Sequence, residues 1–270
     1  MSSRKNITKI ESEEPTLRLA VLIDADNAQA AVIEGLLAEV ARFGEASVKR
    51  IYGDFTSTTS SSWKKVLQKY AIKPVQQFAY TKGKNATDST LIIDAMDLLY
   101  TRNFDGFCLV TSDSDFTGLA MRLREEGIKV FGFGEKKTPE AFKNACHKFI
   151  FTEVLRSTMH VESQHVESHA SPLKVEAPSS PPKTPEPLKV QPDFPKKFVL
   201  DALEQSSDDA GWANLGTFGS YLTKLQPDFD SRVYGYKKLS DLVKAKTDLF
   251  ETEERSLSGQ NRKTLYLRAK

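Results

Sequence analysis

Two apolar runs in this chain end in clusters of aspartate. Leu17–Ile23 is followed by Asp24-Ala25-Asp26-Asn27, and Gly106–Val110 by Thr111-Ser112-Asp113-Ser114-Asp115. Between them, Lys82-Gly83-Lys84-Asn85-Ala86-Thr87-Asp88 opens a segment of helical periodicity that carries Asp94 six residues on. Carboxylates that converge repel one another unless a cation neutralises them. Oxygen-only donors favour Mg²⁺ or Mn²⁺ over zinc. These acids are therefore candidate metal ligands and candidate catalytic residues, Asp24 and Asp113 foremost because each follows an apolar strand, with Asp88 and Asp115 beside them. Each also fits a plainer role. Asp26, Thr87 or Asp88, and Asp113 or Ser114 stand where a side chain could cap a following helix. Asp94 and Asp97 could be solvated.

The segments around these acids predict how they are positioned. Short apolar runs at Leu17–Ile23, Ser47–Tyr52, Lys73–Ala79, Gly106–Val110, Ile128–Phe133 and Lys148–Thr152 read as strands. Helical periodicity fills Ala28–Phe43, Ser62–Tyr70, Ala86–Tyr100, Phe116–Glu126 and Pro139–Ala145, with Gly44 and Gly127 as stops. Strands alternating with helices predict an α/β fold, a Rossmann-like parallel-sheet sandwich with right-handed crossovers. Ligands of such sheets bind beyond the carboxyl ends of the strands, where strand order reverses. Strands one and four should be neighbours there, because the chain must cross to the other half of the sheet after strand three. Both acidic clusters would then share one edge.

Charge is consistent with a polyanionic substrate only locally. The whole chain carries a net charge of +2 over 270 residues, so no overall basic excess points to nucleic acid. Residues 16–156 hold 19 basic and 17 acidic residues; without Asp24, Asp26, Asp88, Asp113 and Asp115 the surplus rises from two to seven. An acidic pocket in a mildly basic surface suits a metal enzyme acting on a polyanion. Lys82 and Lys84 would flank the pocket, and Lys49, Arg50, Lys64 and Lys65 would extend a phosphate track. Cys108 and Cys146 form no zinc or disulfide spacing. The amino-terminal residues 1–15 are polar, expected to be disordered, and lack the apolar segment of a secretory signal. No apolar run is long enough to span a bilayer. The expectation is a cytoplasmic protein.

Residues 157–193 differ. Eight of the 12 prolines fall between Pro172 and Pro195, which predicts a disordered linker. It contains HVESQHVESH, whose His160, His165 and His169 read as a short duplication rather than a metal tract. Periodicity returns at Val199–Gln205, Asn214–Leu225 and Lys238–Ala245. Leu249–Glu253 and Thr264–Leu267 flank the polar loop SLSGQNRK. Three helices and a hairpin predict a small winged helix-turn-helix domain over 194–270.

VLIDADN, the KNATDSTLIIDAMDLL helix and LVTSDSDFTGLAMRLREEGIKVFGFG together resemble a NYN domain of the LabA group, in the PIN-like nuclease superfamily. The resemblance spans roughly residues 16–156. It implies a PIN-like α/β sandwich and metal-dependent endoribonuclease activity. Asp24 matches the first family aspartate, Asn27 the motif asparagine, Asp88 the second acid, and Asp113 and Asp115 the TSDSDF acids. Thr111 or Ser112 would help place a ligand or water. Asp94 matches a frequent helix acid, and Asp26 sits at a variable position. Residues 194–270 resemble an OST-HTH (LOTUS) domain through FVLDALEQ, GWANLGTFGSYLTKLQPDFDSRVYGYKKLSDLVKA and the closing hairpin. That resemblance implies binding of single-stranded or structured RNA, including G-rich RNA, or a protein partner or second copy of the chain. Trp212, Tyr234, Tyr236, Lys237 and Lys238 are candidate contacts. Tyr236, Lys237 and Lys238 combine a stacking ring with phosphate partners, whereas Trp212 reads as semi-buried.

The expected activity is hydrolysis of RNA phosphodiester bonds with Mg²⁺ or Mn²⁺. Two alternatives stand beside it. Asp24-x-Asp26 after a strand also suggests a haloacid-dehalogenase phosphatase with Asp24 as nucleophile, although Asn27 and Ala28 follow where that pattern wants a hydroxyl residue. The chain could also be a non-catalytic RNA-binding adaptor.

Overall fold

The computed structural model describes residues 16–56, 61–78, 86–156, 193–256 and 263–270. Lys82, Lys84, the His-containing stretch 160–169 and residues 257–262 of the polar loop lie outside the described residues.

The first domain is a six-stranded parallel sheet between two helical layers. In chain order it runs β1 (Arg18–Asp24), α1 (Ile33–Val40), β2 (Glu45–Gly53), α2 (Ser61–Tyr70), β3 (Lys73–Gln76), α3 (Ala86–Tyr100), β4 (Gly106–Val110), α4 (Thr117–Glu125), β5 (Lys129–Gly134), α5 (Glu140–Ala145) and β6 (Lys148–Phe151). Strand order across the sheet is β3-β2-β1-β4-β5-β6. After β3 the chain crosses back, and β4 pairs in parallel with β1, Leu19 opposite Gly106 through Ile23 opposite Val110. The reversal predicted between strands one and four is present.

β1 is buried on both faces, which is why it reads as an uninterrupted apolar run. Ala20 and Leu22 pack with Leu91, Ala95, Phe107 and Leu109. Leu19, Val21 and Ile23 pack with Ile33, Leu36, Cys108 and Val110. Each larger side chain buried in this way stabilises the fold by roughly 1.5–3 kcal/mol. The period of two also aims the next residue: Asp24 continues the face of Ala20 and Leu22, the side on which α3 lies.

Two elements depart from expectation. The Ala28–Phe43 segment forms a 3-10 turn at Ala30–Val32 and then a helix only from Ile33 to Val40. The Ala28 N–H is donated to the Asp24 carbonyl (2.9 Å), so the chain makes a tight turn at the strand end before it can wind. Strand β3 ends at Gln76, three residues before the predicted Ala79.

The second domain comprises α6 (Lys196–Ser206), β7 (Ala213–Asn214), α7 (Leu215–Leu225), a 3-10 turn (Ser231–Tyr234), α8 (Leu239–Ala245), β8 (Phe250–Ser256) and β9 (Lys263–Ala269). Its antiparallel sheet has the order β7-β9-β8. Val199, Leu203, Phe218, Leu222, Leu242, Val243 and Leu267 form its core. The two-residue strand β7 is too short to leave a period in the sequence. Asn214 ends it and caps α7, its side-chain oxygen accepting from Gly216 N–H (2.8 Å).

Candidate metal centre

The acids meet where β1, β4 and the first turn of α3 converge. Carboxylate oxygens of Asp88, Asp113 and Asp115 lie within 4.8 Å of one another. Asp88 comes from α3, and the other two from the turn after β4. Asp88 and Asp113 are half-buried and Asp115 is exposed. Two oxygens on opposite sides of one cation, at bond lengths of about 2.0–2.6 Å, are roughly 4–5 Å apart. Three hard oxygen donors at this spacing fit a single divalent ion with room for water.

Asp24 stands apart from that trio. It is fully buried, and its oxygens already have partners. Oδ1 accepts from the Asp26 N–H (3.0 Å), while Oδ2 accepts from Asn27 Nδ2 (2.7 Å) and Thr111 Oγ1 (2.9 Å). Asp26 itself is exposed, and its contribution here is its backbone. Thr111 connects the two clusters: its hydroxyl donates to Asp24 and accepts from the Asp113 N–H (3.1 Å). Asp113 in turn accepts from the Asp115 N–H (2.9 Å). Asp113 thus caps the 3-10 turn at Ser114–Phe116 and still presents an oxygen to the trio. Ser112 is buried, and its hydroxyl accepts from the Glu135 N–H (2.9 Å). Asn27, Thr111 and Ser112, expected to contact a ligand, are held in the framework around the acids.

The electrostatics follow from crowding. Burial raises the Asp24 carboxyl, against the pull of its three hydrogen bonds. Burial, and then the negative charges of Asp24, Asp113, Asp115 and Asp26, push Asp88 up to about 6. These carboxyls are thus biased towards their protonated forms, and a divalent cation would reverse that bias.

Asp94 belongs to a different network. It accepts from Arg50 and from the Tyr52 hydroxyl, so Arg50 is committed to an ion pair and does not extend a free phosphate track. Lys49 donates from Nζ to the Tyr70 carbonyl (2.6 Å). The alternation of β2 could have flagged Tyr52 and Arg50 as a same-face pair; only the packing of α3 shows that Asp94 meets both.

In the second domain Lys237 and Lys238 are exposed, and Tyr236 is half-buried against the core. Trp212 is half-buried, with two guanidiniums over its ring, Arg255 at 4.7 Å and Arg268 at 4.8 Å from the centroid. Arg255 also lies 4.6 Å from the Tyr266 ring. Both arginines pair with glutamates, Arg255 with Glu253 (2.9 Å) and Arg268 with Glu251 (2.6 Å), so this stack is nearly neutral.

Comparison with known proteins agrees with these two domains. The model of the NYN domain family matches residues 18–155, and that of the OST-HTH/LOTUS domain matches residues 191–261. No curated protein matches the chain. Among solved structures, an uncharacterized protein of Nitrosomonas europaea, solved by NMR, is 66% identical over 37% of this chain and 92% of its own, with a TM-score of 0.29. A Chromobacterium violaceum protein, solved by NMR over its residues 175–257, is 31% identical over 30% of this chain and 84% of its own, with a TM-score of 0.24. A Vibrio parahaemolyticus protein of unknown function is 17% identical over 50% of this chain and 91% of its own, with a TM-score of 0.42. With its parallel sheet, its acids at the strand ends and a match across 18–155, the chain belongs to the NYN domain family, and an OST-HTH/LOTUS domain follows at 191–261.

Proposed function

We propose that this protein is a metal-dependent endoribonuclease, its NYN domain cleaving RNA that the OST-HTH domain recruits. One observation carries the proposal: Asp88, Asp113 and Asp115 bring carboxylate oxygens within 4.8 Å of one another at the strand ends of a NYN sheet. NYN domains are a PIN-like nuclease family, and that likeness supplies the substrate class. Asp88, Asp113 and Asp115 would hold Mg²⁺ or Mn²⁺, which when bound lowers the pKa of water and neutralises charge on a phosphate. Asp24, locked by Asn27 and Thr111, adds negative charge below the trio and fixes the loop that carries Asp113. Asp115, the exposed member of the trio, would also orient water beside the scissile phosphate. In the second domain Lys237 and Lys238 offer phosphate contacts, with Tyr236 as a partly available ring.

The phosphatase alternative loses support at Asp24. A nucleophilic carboxylate needs an open oxygen, and this one is buried with three hydrogen bonds. Among the described residues no helix is long and apolar enough to cross a membrane.

The test is cleavage of a mixed single-stranded RNA pool by the full chain with Mn²⁺, against Asp88→Asn and Asp113→Asn. Cleavage that needs the metal and both acids supports the proposal. Equal degradation by all three proteins overturns it. RNA binding with no cleavage under any divalent metal would make the chain an adaptor.

A further inference from the structure

The loop between α7 and α8 of the second domain reaches the first domain at α1, α5 and the edge strand β6. Arg232 spans the junction. Its Nη1 and Nη2 donate to Glu39 Oε2 and Oε1 (2.9 and 3.1 Å), and the same guanidinium donates to Asp230 (2.6 Å from Nη2 to Oδ2). Glu39 is 5% exposed, and Arg42 completes its pairing (3.3 Å). A second bridge joins Lys143 Nζ to Asp228 (2.7 Å), with side chains 14% and 11% exposed. The Phe149 N–H, on the strand that ends the sheet, is donated to the Pro227 carbonyl (2.9 Å). Val233 packs against the core cluster that contains Phe149 and Phe151.

These contacts answer two physical demands at once. An edge strand exposes unpaired backbone groups that invite aggregation unless they are covered. Buried carboxylates are tolerated only with close, well-bonded partners. The loop Pro227–Val233 supplies both, with opposite charges facing each other at two separate points.

We propose that the OST-HTH domain docks in cis on the β6 edge of the NYN domain, through Pro227–Val233, as a standing interface and not as a freely tethered module. Arg232, Asp230 and Glu39 set its register, and Lys143 with Asp228 sets its second anchor. The docking goes beyond the nuclease proposal and holds whether or not the acids cut RNA.

Hydrogen exchange on the full chain, followed by mass spectrometry at several protein concentrations, tests this. In the wild type, peptides covering 148–151 and 227–233 should both be protected. Arg232→Glu should raise exchange at least tenfold in both, while peptides covering 19–23 and 218–222 stay protected, which controls for folding. Lys143→Asp and Asp228→Lys should each loosen the same two peptides, and the double exchange Lys143→Asp/Asp228→Lys should restore them. The proposal is overturned by exchange in 148–151 that ignores Arg232→Glu, or by a double exchange no better than its singles. Protection that grows with protein concentration, together with a dimer mass, would assign the partner loop to a second copy and overturn docking in cis.

Discussion

Asp88 is the residue at which burial and charge are most opposed. Its carboxyl titrates at about 6, above its ordinary 3.8, because it is partly buried among other acids. A carboxyl raised in this way favours the fold while protonated, and that contribution is lost as pH rises through about 6. The metal-free protein should therefore melt at a lower temperature at pH 8 than at pH 5. Mn²⁺ should reverse the order, adding about 2.7 kcal/mol at a hundredfold excess over its Kd. Differential scanning fluorimetry with EDTA and with Mn²⁺ checks both signs, and Asp88→Asn should flatten both responses. Thr111 tests the framework instead of the ligands. Thr111→Val removes one donor to Asp24 and the acceptor for the Asp113 N–H, leaving buried polar groups short of partners at a cost of about 1–3 kcal/mol. It should also weaken Mn²⁺ binding roughly 10- to 100-fold, as loss of an outer-sphere partner does. Calorimetric titration with Mn²⁺ would show this. Unchanged affinity would mean that Asp113 is placed without Thr111.

At the scale of elements, the site depends on how closely strands and turns approach one another. Gly134 ends β5 beside the Thr111 loop. A Cβ there would lie 2.5 Å from the Thr111 carbonyl oxygen and 2.6 Å from Thr138 Oγ1. Gly134→Ala should destabilise the domain by roughly 1–3 kcal/mol, as overpacking does, and should reduce the Mn²⁺-induced rise in melting temperature by displacing Thr111. Leu36 on α1 is fully buried against the opposite face of the sheet. Leu36→Ala should cost about 2–5 kcal/mol in chemical denaturation while Mn²⁺ affinity of the remaining folded protein stays unchanged. The pair of substitutions separates packing from site geometry.

At the scale of the whole molecule, the two domains share charged groups that neither could bury comfortably alone. Lys143 and Asp228 lie 85 positions apart in the chain and form a 2.7 Å bond. A double-mutant cycle on Lys143→Ala and Asp228→Ala should give a coupling energy of about 0.5–3 kcal/mol, read from denaturant unfolding of the full chain. A value near zero would mean that the domains unfold without sensing each other.

Much of the first domain could be read from residues alone, because its strands are buried on both faces and its helices keep a clear apolar stripe. β4 and α3 have the bounds expected of them, Gly106–Val110 and Ala86–Tyr100. The crossover after β3 follows from chain connectivity, so the meeting of the β1 and β4 acids was legible too. What position after an apolar strand could not do was tell Asp24 from Asp113. Asp24 and Asp113 look equivalent as residues that follow apolar strands, yet one is sealed by Asn27 and Thr111 while the other opens towards Asp88 and Asp115. That difference arises from side-chain hydrogen bonds between loops 87 residues apart, which leave no local period. Arg50 and Asp94 likewise looked like surface charges until α3 packed over β2 and joined them. The docking of the second domain is decided in the same way. Composition marks where one domain stops and the next begins, but the match of Glu39 to Arg232, 193 positions apart, exists only once both domains have folded.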